Sequence, residues 1–357
     1  MIRVLVTAIG GGGHGDQILK ALQLAQPGRY TIFGADANPH CPQAALVDRF
    51  VTLPLARDPE YMTVLLRTCE ELGVHALFHG CEPELLLFVA NRKLIEDAGI
   101  FLPINDTALI QLCMDKAKAN ERLAELGFPA PRYVNMTNAG EFDAIDWFPV
   151  VVKPALGGGG SANVFIAQDM KELKALAAYL GLGGISNGFM IQEYVGTPDQ
   201  EFTVGVLHDL DGRYVNSIAV KRHLTSGLSV RTSVINRTGR KELGPRLVIS
   251  SGVSQGDIGR YEDVTKHCRE IADRLGSRGP LNLQCRFVEG KVRVFEINPR
   301  FSGTTSLRAM TGLNEPDLLV RRHLLGLDIG QDVPFQEATI LRSLAETLQP
   351  RTAKGSI

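Results

Sequence analysis

The chain has no apolar run long enough to cross a bilayer. Its longest, such as Leu85-Leu86-Leu87-Phe88-Val89-Ala90, falls far short of the roughly 20 residues a membrane helix needs. It has no Cys-x-x-Cys pair. The six cysteines, at 41, 69, 81, 113, 268 and 285, are scattered, which argues against a zinc site and predicts reduced, mostly buried thiols in a cytoplasmic protein. It has no surplus of one charge either: 38 Lys and Arg stand against 39 Asp and Glu, so neither nucleic acid nor an anionic membrane is an expected partner. The N-terminus opens directly on a strand, Ile2-Arg3-Val4-Leu5-Val6, without a leader's apolar core, so export is not expected. No Gly-x-Ser-x-Gly or Ser-His-Asp arrangement is present. His14, His40, His75, His79, His208, His267 and His323 lack ligand or triad spacing and read as structural.

What remains is an ordinary globular composition, 44% apolar and 22% charged, on a chain of 357 residues, enough for two or three domains. Up to about residue 105, strands and helices alternate. Strand Arg3–Ala8 passes through glycines into a helix over 17–25. Strand 31–35, helix 61–72, strand 76–79, helix 84–97 and a strand at 100–102 follow. That is the βαβ pattern of a doubly wound parallel sheet. A helix over 115–125 stops at Gly127 before Pro129 and Pro131. Strands then dominate, at 150–153, 162–166, 190–193, 201–207 and 214–220, with one helix over 170–180. Residues 222–260 read as loop-rich, followed by a helix over 264–275, and the composition shifts near residues 148 and 188.

The most informative stretch is Phe295-Glu296-Ile297-Asn298-Pro299-Arg300. Side chains two apart on a strand share a face, so Glu296 and Asn298 point the same way. The turn Glu289-Gly290 joins this strand to Leu281–Phe287, which carries Gln284. Gln284, Glu296 and Asn298 are therefore expected to converge as oxygen ligands of a hard Mg²⁺, with Mn²⁺ an acceptable substitute. Arg300 beside them is suited to a phosphate or carboxylate.

Two glycine clusters invite phosphate readings. Gly10, Gly12 and Gly15 fit a dinucleotide-binding turn, with Asp36 where a ribose acid would sit; any first βα turn of such a sheet also needs glycines. In the second cluster, strand Val150–Lys153 precedes Gly157-Gly158-Gly159-Gly160-Ser161. Lys153 can meet a phosphate as a point charge while the loop amides wrap the rest, although the order differs from a P-loop. Gln192-Glu193-Tyr194-Val195 is a strand end that can read an adenine edge, with Glu201 near enough for ribose hydroxyls. Lys221, Arg222 and Arg231, around His223, concentrate cations. They read either as an anion clamp or as a solvated strand edge.

Taken in order, Asp115-Lys116, Val-Val-Lys-Pro with its glycine loop, Gln-Glu-Tyr-Val with Glu201, Gln284 and Glu-Ile-Asn-Pro-Arg resemble the ATP-grasp superfamily over roughly residues 1 to 325. The resemblance is strongest to the branch of the carbamoyl-phosphate synthase large chain and biotin carboxylase. It implies an α/β and α+β chain: a pre-ATP-grasp domain over 1–112, a lid subdomain over 113–188, a C-terminal subdomain over 189–325 and an extension over 326–357. ATP would lie between the two later subdomains. It further implies that Lys116 and Lys153 contact phosphates, that Gly157–Ser161 closes over them, that Gln192 to Val195 hold adenine and that Glu201 holds ribose. Gln284, Glu296 and Asn298 match magnesium ligands, and Arg300 an arginine at the transferred phosphate. Glutamine at 284, where ligases of this fold commonly have an acid, resembles the carbamoyl-phosphate synthase type. The run Phe301–Thr305 departs from the named relatives, and Arg308 comes later. A single ATP-grasp unit without a biotin carrier argues against a complete synthase or carboxylase.

The expected activity is an ATP-dependent carboxylate–amine ligase working through an acylphosphate, with small-molecule acid and amine substrates and room for a homodimer. Arg300, Lys221, Arg222 and Arg308 would clamp anions. Gly10–Gly15 and Glu82 or Glu84 would face the cleft and help select the substrate. A nicotinamide-dependent oxidoreductase built on Gly10, Gly12, Gly15 and Asp36 is the alternative from another class. A carbamoyl-phosphate-synthase-like enzyme using bicarbonate and ammonia is the alternative within the family, and a non-catalytic ATP-binding subunit is the third.

Overall fold

A computed structural model of the chain describes residues 1–128, 130–135, 143–156, 162–181 and 188–347. These form two compact units, one from Met1–Pro103 with the segment from Leu341, the other Ile104–Ile340. The glycine loop 157–161 lies outside the described residues.

The first unit is a four-stranded parallel sheet. Its strands are β1 (Ile2–Val6), β2 (Tyr30–Asp36), β3 (Arg49–Thr52) and β4 (Ala76–Phe78), in the order β3-β2-β1-β4. Val4, Leu5 and Val6 of the central strand are fully buried on both faces, as the near-continuous apolar runs of a parallel sheet require. The helix His14–Gln23 leaves the glycine turn after β1. Gly15 is needed for packing: a Cβ there would sit 2.5 Å from the Ala8 carbonyl oxygen and 2.8 Å from Gly80 Cα. The helix expected over 84–97 is two, Glu82–Ala90 and Arg92–Asp97, separated at Asn91. From the C-terminal segment, Arg342 Nη2 donates to Gln17 Oε1 at 2.8 Å.

The second unit carries two larger antiparallel sheets and a hairpin. Strands β5 (Tyr133–Asn135), β6 (Val150–Pro154), β7 (Phe165–Ala167) and β8 (Phe189–Glu193) make a four-stranded sheet ordered β5-β8-β6-β7. Strands β9 (Glu201–His208) and β10 (Tyr214–Arg222) belong to a second sheet; β11 (Val230–Ile235) and β12 (Arg246–Ser250) pair only with each other. With β13 (Gly256–Gly259), β14 (Pro280–Val288), β15 (Lys291–Asn298) and β16 (Ala338–Ile340), the large sheet runs β15-β14-β9-β10-β13-β16. Three strands therefore occupy the stretch 222–260 expected to be loop-rich. Val230, Thr232 and Val234 alternate as a strand should, but they are only half-buried, and Asn236, Gly239, Gly244 and Pro245 punctuate the segment.

One face of the large sheet is apolar. Phe202, Val204 and Val206 of β9, Leu281, Leu283 and Cys285 of β14, and Val292, Val294 and Ile297 of β15 share a core with the helices Thr107–Met114, Lys116–Glu125 and Glu262–Arg274. At about 25 cal/mol per Å² of buried apolar area, this layer is what holds the sheet in place. By strand alternation the opposite face receives Glu201, Thr203 and Gly205, then Asn282, Gln284 and Arg286.

Candidate active site

β15 reaches that polar face through a break in its own alternation. Val292 and Val294 point into the core, so strict period two would send Glu296 and Asn298 there as well. Instead, Cys285 pairs with Val294 and Gln284 with Glu296, which leaves Phe295 as the extra residue of a β-bulge. The bulge reverses the phase: Ile297 enters the core while Glu296 and Asn298 turn to the polar face opposite Gln284 and Asn282. The hairpin that sets this register closes as expected. Glu289 and Gly290 both have positive φ, 51° and 73°, the geometry of a type I′ turn.

The bulge also presents the Phe295 carbonyl, which accepts from Lys153 Nζ at 2.9 Å, while Gln192 Oε1 accepts from the same nitrogen at 2.7 Å. Strands β6 and β8 thus meet β15 at one buried ammonium. An ammonium has three donors, so one is left over for a ligand oxygen. Because lysine can only donate, the Gln192 amide orientation is fixed, and its Nε2 is buried with no hydrogen-bond partner among the described residues. Burial pushes the Lys153 pKa down to about 7, Glu296 opposing and Lys116 adding to the shift. Asp115 places Lys116 nearby. Its carboxylate caps the helix Lys116–Glu125 by accepting from the amides of Ala117 and Lys118, and the Lys116 amide donates to the Ala155 carbonyl at 3.1 Å.

Four other expected site residues are committed elsewhere. Glu201, expected to hold ribose, is only 2% exposed. Arg222 Nη1 donates to one of its oxygens at 3.2 Å and Arg286 Nη2 to the other at 3.0 Å. Arg222, expected to clamp an anion, also holds Ser250 Oγ and the Ser251 carbonyl, both at 2.8 Å. Burial lowers its pKa against the pull of Glu201 and Glu296. Arg308 is 1% exposed and closed on Glu315 and Asn282. Gly205 makes room for it, since a Cβ there would lie 2.1 Å from Arg308 Nη1. Lys221 pairs in register with Phe202, which turns it to the face opposite Arg222 and Glu296. In these four, a carboxylate or cation read from sequence as open to a ligand finds an internal partner, or the opposite face, once the strands are registered.

At the end of β8, Glu193 is bidentate with Arg132 and the Tyr194 hydroxyl accepts from the Val248 amide at 2.9 Å. Arg286 stacks 4.5 Å over the Tyr194 ring and donates to the carbonyls of Val195 and Gly196. In the first unit, the Asp36 carboxylate accepts from the amides of Gly10 and Asn38, so it braces its own glycine turn. Glu84, expected to face a cleft, is buried and accepts from Thr7, Tyr61 and the Gly80 amide.

Residues 245–347 match the family described as ATP-grasp in the biosynthetic pathway with Ter operon, and residues 5–120 match the family described as PylC-like, N-terminal domain. Over residues 245–347 the chain is therefore similar to ATP-grasp proteins. It is 28% identical over 217 residues to an uncharacterized protein of Sinorhizobium fredii, covering 57% of this chain and 39% of that one. It is 27% identical over 241 residues to the carbamoyl phosphate synthase large chain of Thermomicrobium roseum, covering 65% of this chain and 20% of the synthase. The chain therefore spans well under half the length of either relative. The crystal structure of L-amino acid ligase from Bacillus licheniformis matches with a TM-score of 0.62 at 19% identity, over 91% of this chain and 74% of that one, a likeness of fold.

The donor set fits a hard divalent cation. Gln284 and Glu296 are half-buried, face each other across β14–β15 and offer oxygens. Asn298 Oδ1 accepts from Arg300 Nη2 at 3.1 Å, and its Nδ2 has no partner among the described residues. Among those residues no three His, Cys, Asp or Glu side chains gather, so the set has one carboxylate and two amides. Arg300 also donates to the Phe301 carbonyl at 3.0 Å. The sequence reading missed Arg286 and the role of Gln192 toward Lys153. A signal for the first was present: in Leu281-Asn282-Leu283-Gln284-Cys285-Arg286, Arg286 falls on the face of Gln284.

Proposed function

We propose that this chain is an ATP-dependent carboxylate–amine ligase that works through an acylphosphate. The observation that carries the reading is the convergence of Gln284, Glu296 and Lys153, contributed by β14, β15 and β6, on one side of the bulge. The third donor of Lys153 would take a phosphate oxygen, and Lys116 beside it would add charge of the same sign. Arg300, anchored through Asn298, would orient a carboxylate or the transferred phosphoryl group. A divalent cation on Gln284, Glu296 and Asn298 would offset charge on the phosphates. A carboxylate oxygen of the acid would attack the γ-phosphorus as the bond to ADP breaks. The amine nitrogen would then attack the acyl carbon, expel phosphate and lose a proton. Positioning and charge compensation by these side chains are what such a transfer needs.

The test is phosphate release from Mg·ATP with pools of carboxylic acids and amines. Release that needs both pools and leaves ADP supports the proposal; release of AMP and pyrophosphate, or none with any pool, overturns it. The match to a carbamoyl phosphate synthase large chain supports a second reading, in which bicarbonate and ammonia are the substrates. Release with bicarbonate alone, with no organic acid, would favour it. The nicotinamide reading has a structural alternative for its acid: Asp36 accepts the amides of Gly10 and Asn38 and so braces the turn.

A further inference from the structure

We infer that Arg222 and Arg286 close Glu201 to a nucleotide's sugar, so that the chain binds nucleotide without reading its ribose hydroxyls. The inference rests on the ligase reading and deepens it by fixing what the site demands of the nucleotide. Glu201 stands where a sugar-binding carboxylate would be useful. It opens β9 on the same face as Thr203, the register partner of Gln284. The connection 194–200 leads to it from Gln192 and Glu193 at the end of β8. Arg286, its own register partner on β14, donates to Oε2 from both Nε and Nη2, at 3.2 and 3.0 Å. Arg222 Nη1 donates to Oε1 at 3.2 Å. An ionised carboxylate has about two acceptor sites on each oxygen, so Oε2 is full. The site left on Oε1 belongs to a residue only 2% exposed.

Neither arginine can turn away without breaking other bonds. Arg286 Nη1 donates to the carbonyls of Val195 and Gly196 at 3.0 and 3.1 Å, and Nη2 also to that of Val248 at 3.1 Å. Its guanidinium lies 4.5 Å over the Tyr194 ring. Gly196 lets the backbone come this near: its φ is 64°, and a Cβ there would sit 2.5 Å from Val288 Cγ2. Arg222 is held in the same way by Ser250 Oγ and the Ser251 carbonyl. A sugar hydroxyl would have to displace a guanidinium from the carboxylate, exchanging an ion-paired hydrogen bond for one from a neutral donor. The displaced guanidinium, 4% exposed in either case, would keep its charge and lose its counter-ion.

The experiment is isothermal calorimetry on the full chain with Mg·ADP and with the magnesium complex of dideoxy-ADP, which lacks both sugar hydroxyls. The two wild-type dissociation constants are expected to agree within about threefold. A hydroxyl bonded to Glu201 would instead make the dideoxy nucleotide about tenfold weaker or more. A gap of that size overturns the inference and leaves the ligase reading standing. Glu201→Gln closes the cycle: it should shift both constants by one common factor, whereas a loss confined to ADP overturns the inference. Should that variant fail to fold, the wild-type pair of constants decides alone. A wild-type chain that binds neither nucleotide overturns both.

Discussion

Two groups of polar side chains meet at the polar face of the large sheet, and they differ in how their charges are paired and how far they are exposed. In the first, Glu201 is bracketed by Arg222 and Arg286, and Arg308 is closed on Glu315 and Asn282; all are at least 95% buried. In the second, Gln284 and Glu296 remain half-buried, and Lys153, Gln192 and Asn298 each keep a polar atom or donor that no described residue takes up. Each group keeps unpartnered polar atoms among the described residues, Arg222 Nε and Arg308 Nε in the first and Gln192 Nε2 and Asn298 Nδ2 in the second. What separates them is that the second has a half-buried edge, at Gln284 and Glu296, and a carboxylate there without a paired arginine.

The comparison breaks most visibly in the first group. Glu315→Gln leaves the Arg308 guanidinium 1% exposed with no counter-charge, and removing one partner of a buried pair costs about 3–5 kcal/mol. Urea unfolding should show a loss of that size, and a loss below about 1 kcal/mol would mean Arg308 is held by something else. The mirror change in the second group is Glu296→Gln. It should lower nucleotide-dependent phosphate release by about 100-fold or more, with little change in the unfolding midpoint, because the group is half-buried. A variant that kept full turnover would remove Glu296 from the site.

A third test uses pH. The Lys153 pKa falls from its ordinary value of 10.5 to about 7 in the folded chain, chiefly through burial. Between those values the unfolded chain holds a proton that the folded one lacks, so folding stability rises with pH across the window, by at most about 1.4 kcal/mol per unit. Below pH 7 both states are protonated, and the group's unfavourable contribution is constant. Lys153→Met should erase the rise. Bound ADP should reduce it in the wild type, since phosphate favours the charged amine. Denaturant unfolding at several pH values reads both effects.

How much of this was legible in the sequence depends on what each residue's fate turned on. The parallel first unit and the β14–β15 hairpin follow from local pattern: alternation, glycine turns and a two-residue loop. The bulge at Phe295 was written in the sequence too, as the change from even to odd apolar positions between Val294 and Ile297. The closed arginine networks were not. Arg222 and Arg286 meet Glu201 only because β10, β9 and β14 lie side by side, a non-local fact that no window of sequence contains. The strands of 230–259 were missed because half-buried hairpins alternate weakly.

The smallest effect tests whether the open group can be loosened without touching its charges. Asp115 caps the helix Lys116–Glu125, accepting at 3.1 Å from Ala117 and 3.2 Å from Lys118. Asp115→Ala should cost about 1 kcal/mol of stability, the usual worth of such a cap. Lys116 is the first residue of that helix, and its amide is tied to Ala155, two residues beyond Lys153. A frayed first turn lets Lys116 drift while Lys153, Gln192 and Glu296 keep their positions. Nucleotide affinity should therefore fall by a few-fold, roughly 1 kcal/mol or less, with the Lys153-linked pH dependence intact. If affinity were unchanged while stability fell by the full amount, Lys116 would belong with the scaffold, and the open group would rest on Lys153, Gln284 and Glu296 alone.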